Sequence, residues 1–254
     1  MVNSLFRPVV VLALMIILGT ACYGQKGQWL LGVKGGIDIP NLRAGGGSDP
    51  VSQGWSSRLG PYFGIVGQYK LSAKFSIQAE LNYSSQGGKK NGKQAIPTTD
   101  LTDSPPPGFP DYIYGNIDGV TKLNYIELPI LAKWSFAIGS SYRFFVNAGP
   151  YFGYLVAAKD VFKGNTNFYT DEAETTPILS QPISFDNTQD IKSDLKKFNV
   201  GVQAGMGVSA RVPRGCLMLT IGGNYGLIPV QKDKANGQND TGAVNVTIGY
   251  LFTL

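Results

Sequence analysis

Histidine is absent from the 254 residues, and cysteine occurs only at Cys22 and Cys216. The absence of histidine excludes histidine-based catalytic triads and dyads as well as histidine metal sites. Cys22 lies in a region typical of a cleaved leader, and the single thiol that remains, Cys216, cannot form an internal disulfide. The chemistry of the chain therefore depends on carboxylates, lysines, amides and hydroxyls.

Charge is also scarce. Charged residues make up 15% of the chain, against roughly 25% in a typical soluble domain. The net charge of +5 is scattered, and no basic stripe with interleaved aromatic residues occurs, so nucleic-acid binding is not expected. Low charge combined with 33 glycines and 11% aromatic residues is typical of a membrane barrel.

Long apolar runs are missing except at the beginning of the chain. Met1–Gly24 has the pattern of a secretory signal, with Arg7, an apolar run over Val9–Leu18 and a small-residue cleavage region. Cys22 loosely matches a lipoprotein box, so lipidation and ordinary cleavage near Ala21 or Gly24 both stay open. Because no other stretch could form a membrane helix, a membrane-spanning portion must be a β-barrel. We expect a signal peptide over 1–24 and a barrel domain over 25–254.

The clearest pattern lies in Leu123–Val156, as two arms joined by a turn near Gly139. Apolar residues recur at every second position of both arms, and charged or amide residues such as Glu127 and Asn147 take the other parity. A period of two predicts β-strands. Long strands with one apolar, aromatic face and one polar face are typical of a barrel between lipid and a polar lumen.

Three stretches of the sequence resemble a known family. They are the Leu-Asn-Tyr-Ile-Glu-Leu-Pro-Ile-Leu run from Leu123, the Ala-Gly-Pro-Tyr-Phe-Gly-Tyr-Leu run from Ala148, and Phe75–Ser84. They resemble the small outer-membrane β-barrel proteins of Bacteroidetes-type bacteria that are often labelled PorT-like. The resemblance covers roughly the whole mature chain. It implies a fold and a Gram-negative outer-membrane location, and it implies little about activity.

The same alternation predicts eight strands in all. Their expected bounds are Gln28–Ile39, Leu59–Leu71, Phe75–Ser85, Leu123–Trp134, Tyr142–Val156, Lys197–Val212, Leu217–Leu227 and Ala243–Leu254. The connections after strands one, three, five and seven are long, and those after two, four and six are tight. This alternation favours an all-β, transmembrane, antiparallel up-and-down barrel with long extracellular loops, short periplasmic turns and both termini in the periplasm. The aromatic last strand is similar to the signal that barrel-assembly machinery recognises.

An internal repeat, Gly-Pro-Tyr-Phe-Gly, occurs at Gly60–Gly64 and at Gly149–Gly153. In both copies Pro and Phe fall on the predicted lipid face, near the outer end of the predicted strand. We interpret the repeat as part of an aromatic girdle in which glycine permits curvature, and a shared ligand motif is the alternative.

Charged residues on the lumen parity are the first candidate site. A pair of carboxylates could serve hydrolysis or proton transfer, but an eight-stranded barrel has an interior that side chains can fill, and buried charges there must be paired. We therefore predict a structural lumen network with no catalytic residues, no cofactor and no metal. Its members are Glu80, Glu127, Lys34, Lys133, Arg143 and Arg211.

The predicted long loops hold the other candidates. A lysine cluster (Lys89, Lys90, Lys93) could contact lipopolysaccharide phosphates or could simply be solvated. The acidic residues of 157–196 match no EF-hand spacing and predict a solvated loop. Trp29 and Trp134 are predicted interface anchors.

Three functions remain compatible with the sequence. The first is a structural or interaction barrel that presents its outer loops to partners or to the envelope. The second, implied by the resemblance, is an accessory of a PorT-type protein-secretion and gliding system. The third is a small-solute channel or an enzyme, which the missing histidine and the narrow lumen disfavour. Expected partners are outer-membrane lipid, lipopolysaccharide, the barrel-assembly machinery and possible secretion-system proteins.

Overall fold

The computed structural model describes residues 27–44, 52, 54–100, 104–184, 186–234 and 237–254. The predicted signal peptide and Cys22 lie outside these residues. The described residues form thirteen strands and two short 3₁₀ helices, Thr98–Asp100 and Lys192–Asp194. The strands are β1 (Gln28–Ala44), β2 (Gly60–Lys70), β3 (Phe75–Lys90), β4 (Lys93–Pro97), β5 (Tyr112–Asn116), β6 (Asp118–Ile138), β7 (Tyr142–Lys163), β8 (Asn165–Thr166), β9 (Ile183–Ser184), β10 (Asn187–Asp190), β11 (Phe198–Val212), β12 (Gly215–Gly226) and β13 (Asn239–Thr253).

Eight of these described strands form a closed antiparallel ring in the order β1-β2-β3-β6-β7-β11-β12-β13. The ring closes because β13 pairs with β1 over a register that runs from Leu30 opposite Thr253 to Ala44 opposite Asn239. Closure removes the free edges of the sheet. The predicted barrel of about eight antiparallel strands is therefore confirmed.

The two ends of the ring differ. At one end, which we call the turn end, the tight connections Leu71–Lys74, Gly139–Ser141 and Pro213–Arg214 lie beside both ends of the described chain. At the other, the loop end, five strands extend beyond their predicted bounds. β1 continues to Ala44, β3 to Lys90 and β7 to Lys163, while β6 begins at Asp118 and β13 at Asn239.

Side chains alternate across the barrel wall as predicted. Outward positions are exposed and apolar, as lipid requires, and include Ile65, Leu81, Ile130, Phe152 and Ile248. Inward positions are buried. Glycine permits the strands to approach closely: a Cβ added at Gly36 of β1 would lie 1.9 Å from the backbone oxygen of Val246 on β13.

The interior has three layers. A small apolar cluster lies at the turn end, formed by Leu30, Val66, Phe145, Met218 and Leu251. Polar side chains fill the middle of the lumen. A second apolar cluster lies toward the loop end, formed by Leu42, Leu123, Tyr125, Leu155, Ala158, Leu195 and Val230.

A β-bulge between β6 and β7 shifts the phase of the barrel wall. Asn124 pairs with Ala157 while the next residue, Tyr125, pairs with Leu155, so Val156 is the extra residue. Before the bulge the odd residues of β7 are buried; beyond it Ala158 is buried while Lys159 is exposed. The bulge thus turns the even residues Ala158, Asp160 and Phe162 toward the interior at the loop end.

Candidate functional site: a filled lumen and a loop-end cavity

The middle of the lumen is organised around one buried ion pair. Lys34 on β1 donates from Nζ to Oε2 of Glu80 on β3 at 2.6 Å, and both side chains are almost fully buried. The carboxylate also accepts hydrogen bonds from Gln78 at 2.5 Å and Asn82 at 2.9 Å. These contacts satisfy both oxygens, which is the condition for burying a charged pair at tolerable cost.

Glu127 on β6, 1% exposed, has different partners. Its carboxyl accepts from the amides of Gln86, at 3.2 Å, and Asn224, at 3.3 and 3.4 Å. The two salt bridges among the described residues, Lys34–Glu80 and Lys93–Glu172, do not include it. Among the described residues, Glu80 therefore has a cationic partner within salt-bridge distance, and Glu127 does not. The reason is that the strand positions facing Glu127 carry amides.

The remaining predicted network members are divided between lumen and rim. Lys133 is buried, donates to Gln68 and Gln78 at 3.1 Å each, and lies 4.0 Å from the ring centroid of Phe145. Arg143 instead donates to the backbone carbonyl of Ala73 in the turn between β2 and β3. Arg211 is exposed near the end of β11. Placing these two arginines in the lumen network was wrong, because both lie at the turn end, where they reach turn backbone and solvent.

Sequence reasoning missed two lumen tyrosines. Both copies of the Gly-Pro-Tyr-Phe-Gly repeat place Pro and Phe outward, as predicted, and their central residues, Tyr62 and Tyr151, inward and fully buried. The Tyr62 hydroxyl accepts from Asn82 at 2.8 Å, and the Tyr151 hydroxyl lies 3.5 Å from that of Thr241. The sequence contained this information, because a residue between an outward Pro and an outward Phe on a strand must point inward. The second copy lies mid-strand, since β7 continues to Lys163.

The packed lumen leaves little room. A cavity of about 20 Å³ lies beside Lys34, Glu80, Gln203 and Thr247, which is space for about one water molecule. The apolar cluster at the turn end lies between it and that end of the barrel. This geometry is that of a narrow barrel filled by its own side chains.

The larger feature is a cavity of about 700 Å³ at the loop end. Its base includes Leu42, Leu123, Leu195 and Val230 of the upper apolar cluster. Its walls are mostly apolar and aromatic, and a few polar groups interrupt them. The wall residues include Trp55, Lys90, Ile96, Pro97, Ile117, Thr121, Asp160, Phe162, Phe168, Gln189 and Ile191. Volume and lining both match those of small-molecule sites.

The segments around this cavity are joined by backbone hydrogen bonds. Tyr114 of β5 and Tyr169 exchange N–H···O bonds of 2.9 and 2.8 Å, and Ser56 and Lys89 exchange bonds of 2.8 and 3.0 Å. Lys196 donates to Val230 at 2.8 Å. We call these joined segments (54–58, 92–119, 164–184, 186–197 and 227–239, as far as described) the cap.

The lysine cluster belongs to strands and cap, not to one open loop. Lys89 and Lys90 continue β3, and Lys93 begins β4. The Lys93 ammonium donates to the backbone oxygen of Glu172 at 2.8 Å and lies 3.8 Å from its carboxylate. Other acidic side chains serve the cap locally; Asp171, for example, accepts from the backbone N–H groups of Thr175 and Thr176.

Lys90 and Asp160 are ionisable groups of the cavity wall. The Lys90 ammonium lies 4.8 Å from the ring centroid of Trp55, and burial lowers the pKa of the lysine to about 8. Thr121 donates from Oγ1 to Asp160 at 2.5 Å, yet burial outweighs that bond and raises the pKa of the aspartate. Near neutral pH Lys90 is therefore largely protonated.

Aromatic side chains form belts on the outer surface near both ends. Near the turn end Trp29 packs on Tyr69 with ring centroids 4.8 Å apart, and Trp134 packs on Phe75 at 6.1 Å. Toward the loop end Phe63 stacks on Tyr83, and Tyr154 meets Phe198 edge to face. Trp29 and Trp134 both belong to the belt near the turn end, and their role as interface anchors stays a prediction.

Two further observations limit the chemistry of the described residues. Within them, no group of three or more histidine, cysteine, aspartate or glutamate side chains could hold a metal ion. No helix in the described part of the chain is long and apolar enough to cross a membrane.

Comparisons with solved structures give distant similarities. Neisserial surface protein A is 10% identical, with a TM-score of 0.39, over 87% of this chain and 95% of that one. Ail, the attachment invasion locus protein of Yersinia pestis, is 11% identical, with a TM-score of 0.36, over 90% of this chain and all of that one. The N-terminal β-barrel domain of Pseudomonas aeruginosa OprF is 11% identical, with a TM-score of 0.29, over 87% and 97%. No curated protein matches the sequence.

A family model gives the assignment. The model of the outer membrane protein beta-barrel domain matches residues 23–232, which is most of the chain. The chain therefore belongs to this family of integral outer-membrane β-barrel proteins.

Proposed function

We propose that this barrel acts as a structural and interaction protein, and that its working surface is the cap. The observation that carries the proposal is the contrast between the two ends of the molecule. The lumen is filled and leaves room for about one water molecule, whereas the loop end carries hydrogen-bonded segments around a large cavity. The buried carboxylates are engaged in hydrogen bonds with neighbouring side chains, which supports a structural and not a catalytic role for them.

The orientation belongs to the same proposal. Both ends of the described chain lie at the turn end, and in bacterial barrels the short turns are periplasmic. The cap then faces outward. Lys93, whose side chain is 45% exposed, could reach lipopolysaccharide phosphates, and the aromatic last strand would be read by the barrel-assembly machinery during insertion.

Reconstitution in planar bilayers tests the filled lumen. We expect no steady conductance from the wild-type barrel, because the polar network and the apolar cluster at the turn end leave no continuous water path. A porin inserted into the same bilayers shows that insertion can be detected. Steady single-channel steps from the wild-type chain would overturn the proposal in favour of a small-solute channel.

The second candidate is an accessory role in a PorT-type secretion and gliding system. It is supported by the Leu123–Leu131 motif, which forms part of β6. Co-purification from native membranes separates the two functions. Secretion-machinery subunits that copurify in stoichiometric amounts support the accessory role, and their absence favours the first proposal.

A further inference from the structure

We propose that the turn end of the barrel carries a rim of cations that binds the head groups of anionic phospholipids. The inference rests on the proposed function only for the orientation, which makes the contacted lipids those of the inner leaflet of the outer membrane. It goes beyond that function by naming a second interaction surface, at the end opposite the cap, and the chemistry of its partner.

The charges of the chain are unevenly distributed along the barrel axis. The described acidic side chains lie in the middle of the lumen or toward the loop end, and Asp38 is the first acidic residue of the chain. No aspartate or glutamate occurs in 66–77, 131–147, 206–219 or 247–254, which form the turn end together with the start of β1. Besides the buried Lys133, the cations of these stretches are Lys70, Lys74, Arg143, Arg211 and Arg214. A terminal carboxylate offsets at most one of them, so the turn end is strongly cationic.

These cations are carried on ordered backbone along the rim. The carbonyl of Lys74, in the turn between β2 and β3, accepts from the N–H of Ser135 on β6 at 2.7 Å. The carbonyl of Arg214, between β11 and β12, accepts from the N–H of Thr253 on β13 at 3.0 Å. In the strand order these two turns lie half the ring apart, and Arg143 lies between them near the start of β7. The positive charge is therefore spread along the rim and is not gathered in one pocket.

The charges of the rim are not neutralised within the described structure. Lys74, Arg211 and Arg214 are exposed, and neither salt bridge among the described residues includes them. Lys70 and Arg143 donate to neutral acceptors, an amide oxygen at 2.7 Å and a backbone carbonyl at 2.6 Å. These bonds position the two side chains and leave their charges without a carboxylate partner among the described residues. The rim thus matches an external anion.

The location of the cations favours a lipid surface as that anion. Lys70 follows Tyr69 and Lys74 precedes Phe75, and both aromatic residues belong to the belt near the turn end. Such belts lie at the level of the head groups in membrane barrels. Lysine and arginine at this level attract anionic lipids and form charge-assisted hydrogen bonds with phosphate. A soluble acidic partner would favour one compact patch, whereas lipid lines the whole rim.

Tryptophan quenching by brominated lipids tests the surface in the whole mature barrel, reconstituted in vesicles. The chain contains three tryptophans. Replacing Trp55 of the cap with Phe leaves Trp29 and Trp134, both in the belt near the turn end, as reporters. The probes are phosphatidylglycerol and phosphatidylcholine that carry the same brominated chain. At low salt we expect phosphatidylglycerol to occupy the sites beside these reporters at least twofold more often than phosphatidylcholine. Because the attraction is electrostatic, about 1 M salt should remove the preference.

Matched variants locate the surface. The turn-end variant combines Lys74→Gln, Arg211→Gln and Arg214→Asn, and it should abolish the preference for phosphatidylglycerol. Asparagine is used at position 214 because the backbone there has a φ of 66°, which asparagine adopts more readily than glutamine. The loop-end variant is the control and removes the same number of exposed cations from the upper wall, as Lys122→Gln, Lys159→Gln and Lys163→Gln. It should keep the wild-type preference.

The contrary results are equally specific. Equal quenching by the two lipids in the wild type overturns the proposal, and so does a preference that survives the turn-end substitutions. A preference lost equally from both triple variants means that net charge alone attracts the lipid, which also overturns the rim. Urea unfolding of both variants shows that they are folded, and Lys74→Gln alone, expected to reduce the preference in part, serves if the triple variant is not. The reporters sense the leaflet beside the turn end whichever way the barrel faces in the cell. Failure here is therefore distinct from failure of the proposed function, which the conductance experiment detects.

Discussion

At the scale of single residues, two of the buried lumen carboxylates, Glu80 and Glu127, differ in their surroundings. Glu80 has a lysine at 2.6 Å, whereas Glu127 accepts hydrogen bonds from the amides of Gln86 and Asn224. The sequence predicted that both point inward, since each lies on the polar parity of its strand. It could not assign their partners, because those lie on distant strands and are set by the stagger of the closed ring.

This difference predicts that a Glu→Gln substitution changes the free energy of unfolding differently at the two positions. Glu80→Gln removes the carboxylate that compensates a buried lysine and should reduce the free energy of unfolding by about 3–5 kcal/mol. Glu127→Gln is the matched control: it removes a buried carboxyl that forms no salt bridge with any described residue, so stability should be unchanged or higher. Urea unfolding of the barrel in lipid vesicles measures both. Equal losses would show that Glu127 also depends on a cation.

At the scale of the element, the bulge at Val156 explains where the sequence interpretation ended. Alternation predicted that this strand runs from Tyr142 to Val156, and the structure extends β7 to Lys163. Because of the extra residue, odd positions point inward before the bulge and even positions point inward after it. The apolar alternation of the sequence therefore breaks at Val156 although the strand continues. Strand identity and inward phase were thus predictable within the membrane span, while the extensions and the cavity they enclose were not.

The wall of β6 gives a test of depth. Ile130 lies outward, midway between Ile126 and the predicted anchor Trp134. Ile130→Arg should cost about 2–4 kcal/mol of unfolding free energy, and Ile126→Arg about 0–1 kcal/mol, because the penalty of a charge in lipid falls toward the interface. Equilibrium unfolding in vesicles provides the comparison. Similar costs at the two sites would place the membrane midplane elsewhere along the strand.

The cap should behave as an ordered element. The paired amides of Tyr114 and Tyr169 should exchange with deuterium slowly, because each is bonded to the carbonyl of the other. The exposed residues Glu172 and Ala173 of the same connection serve as the fast-exchanging control. Exchange followed by mass spectrometry of peptic fragments checks this. Equally fast exchange in both peptides would argue that the cap segments separate in solution.

At the scale of the whole molecule, the proposed orientation can be tested on intact cells. In a background that lacks Cys216, a cysteine at Ala173 should react with a membrane-impermeant maleimide. A cysteine at Arg214, exposed in a turn-end connection, should react only after the outer membrane is permeabilised. The reverse pattern would place the cap in the periplasm and would contradict the outward-facing surface.

The register between β1 and β13 also has a consequence in time. The first strand of the ring finds one of its two neighbours only when the last strand has been made, since Leu30 lies opposite Thr253 and Ala44 opposite Asn239. Until then the backbone groups along one side of β1 have no partner in the ring, and such an edge invites pairing with other chains. Contacts this distant along the chain also form slowly. Biogenesis of this protein therefore requires that the full-length polypeptide be kept apart from its copies before it closes.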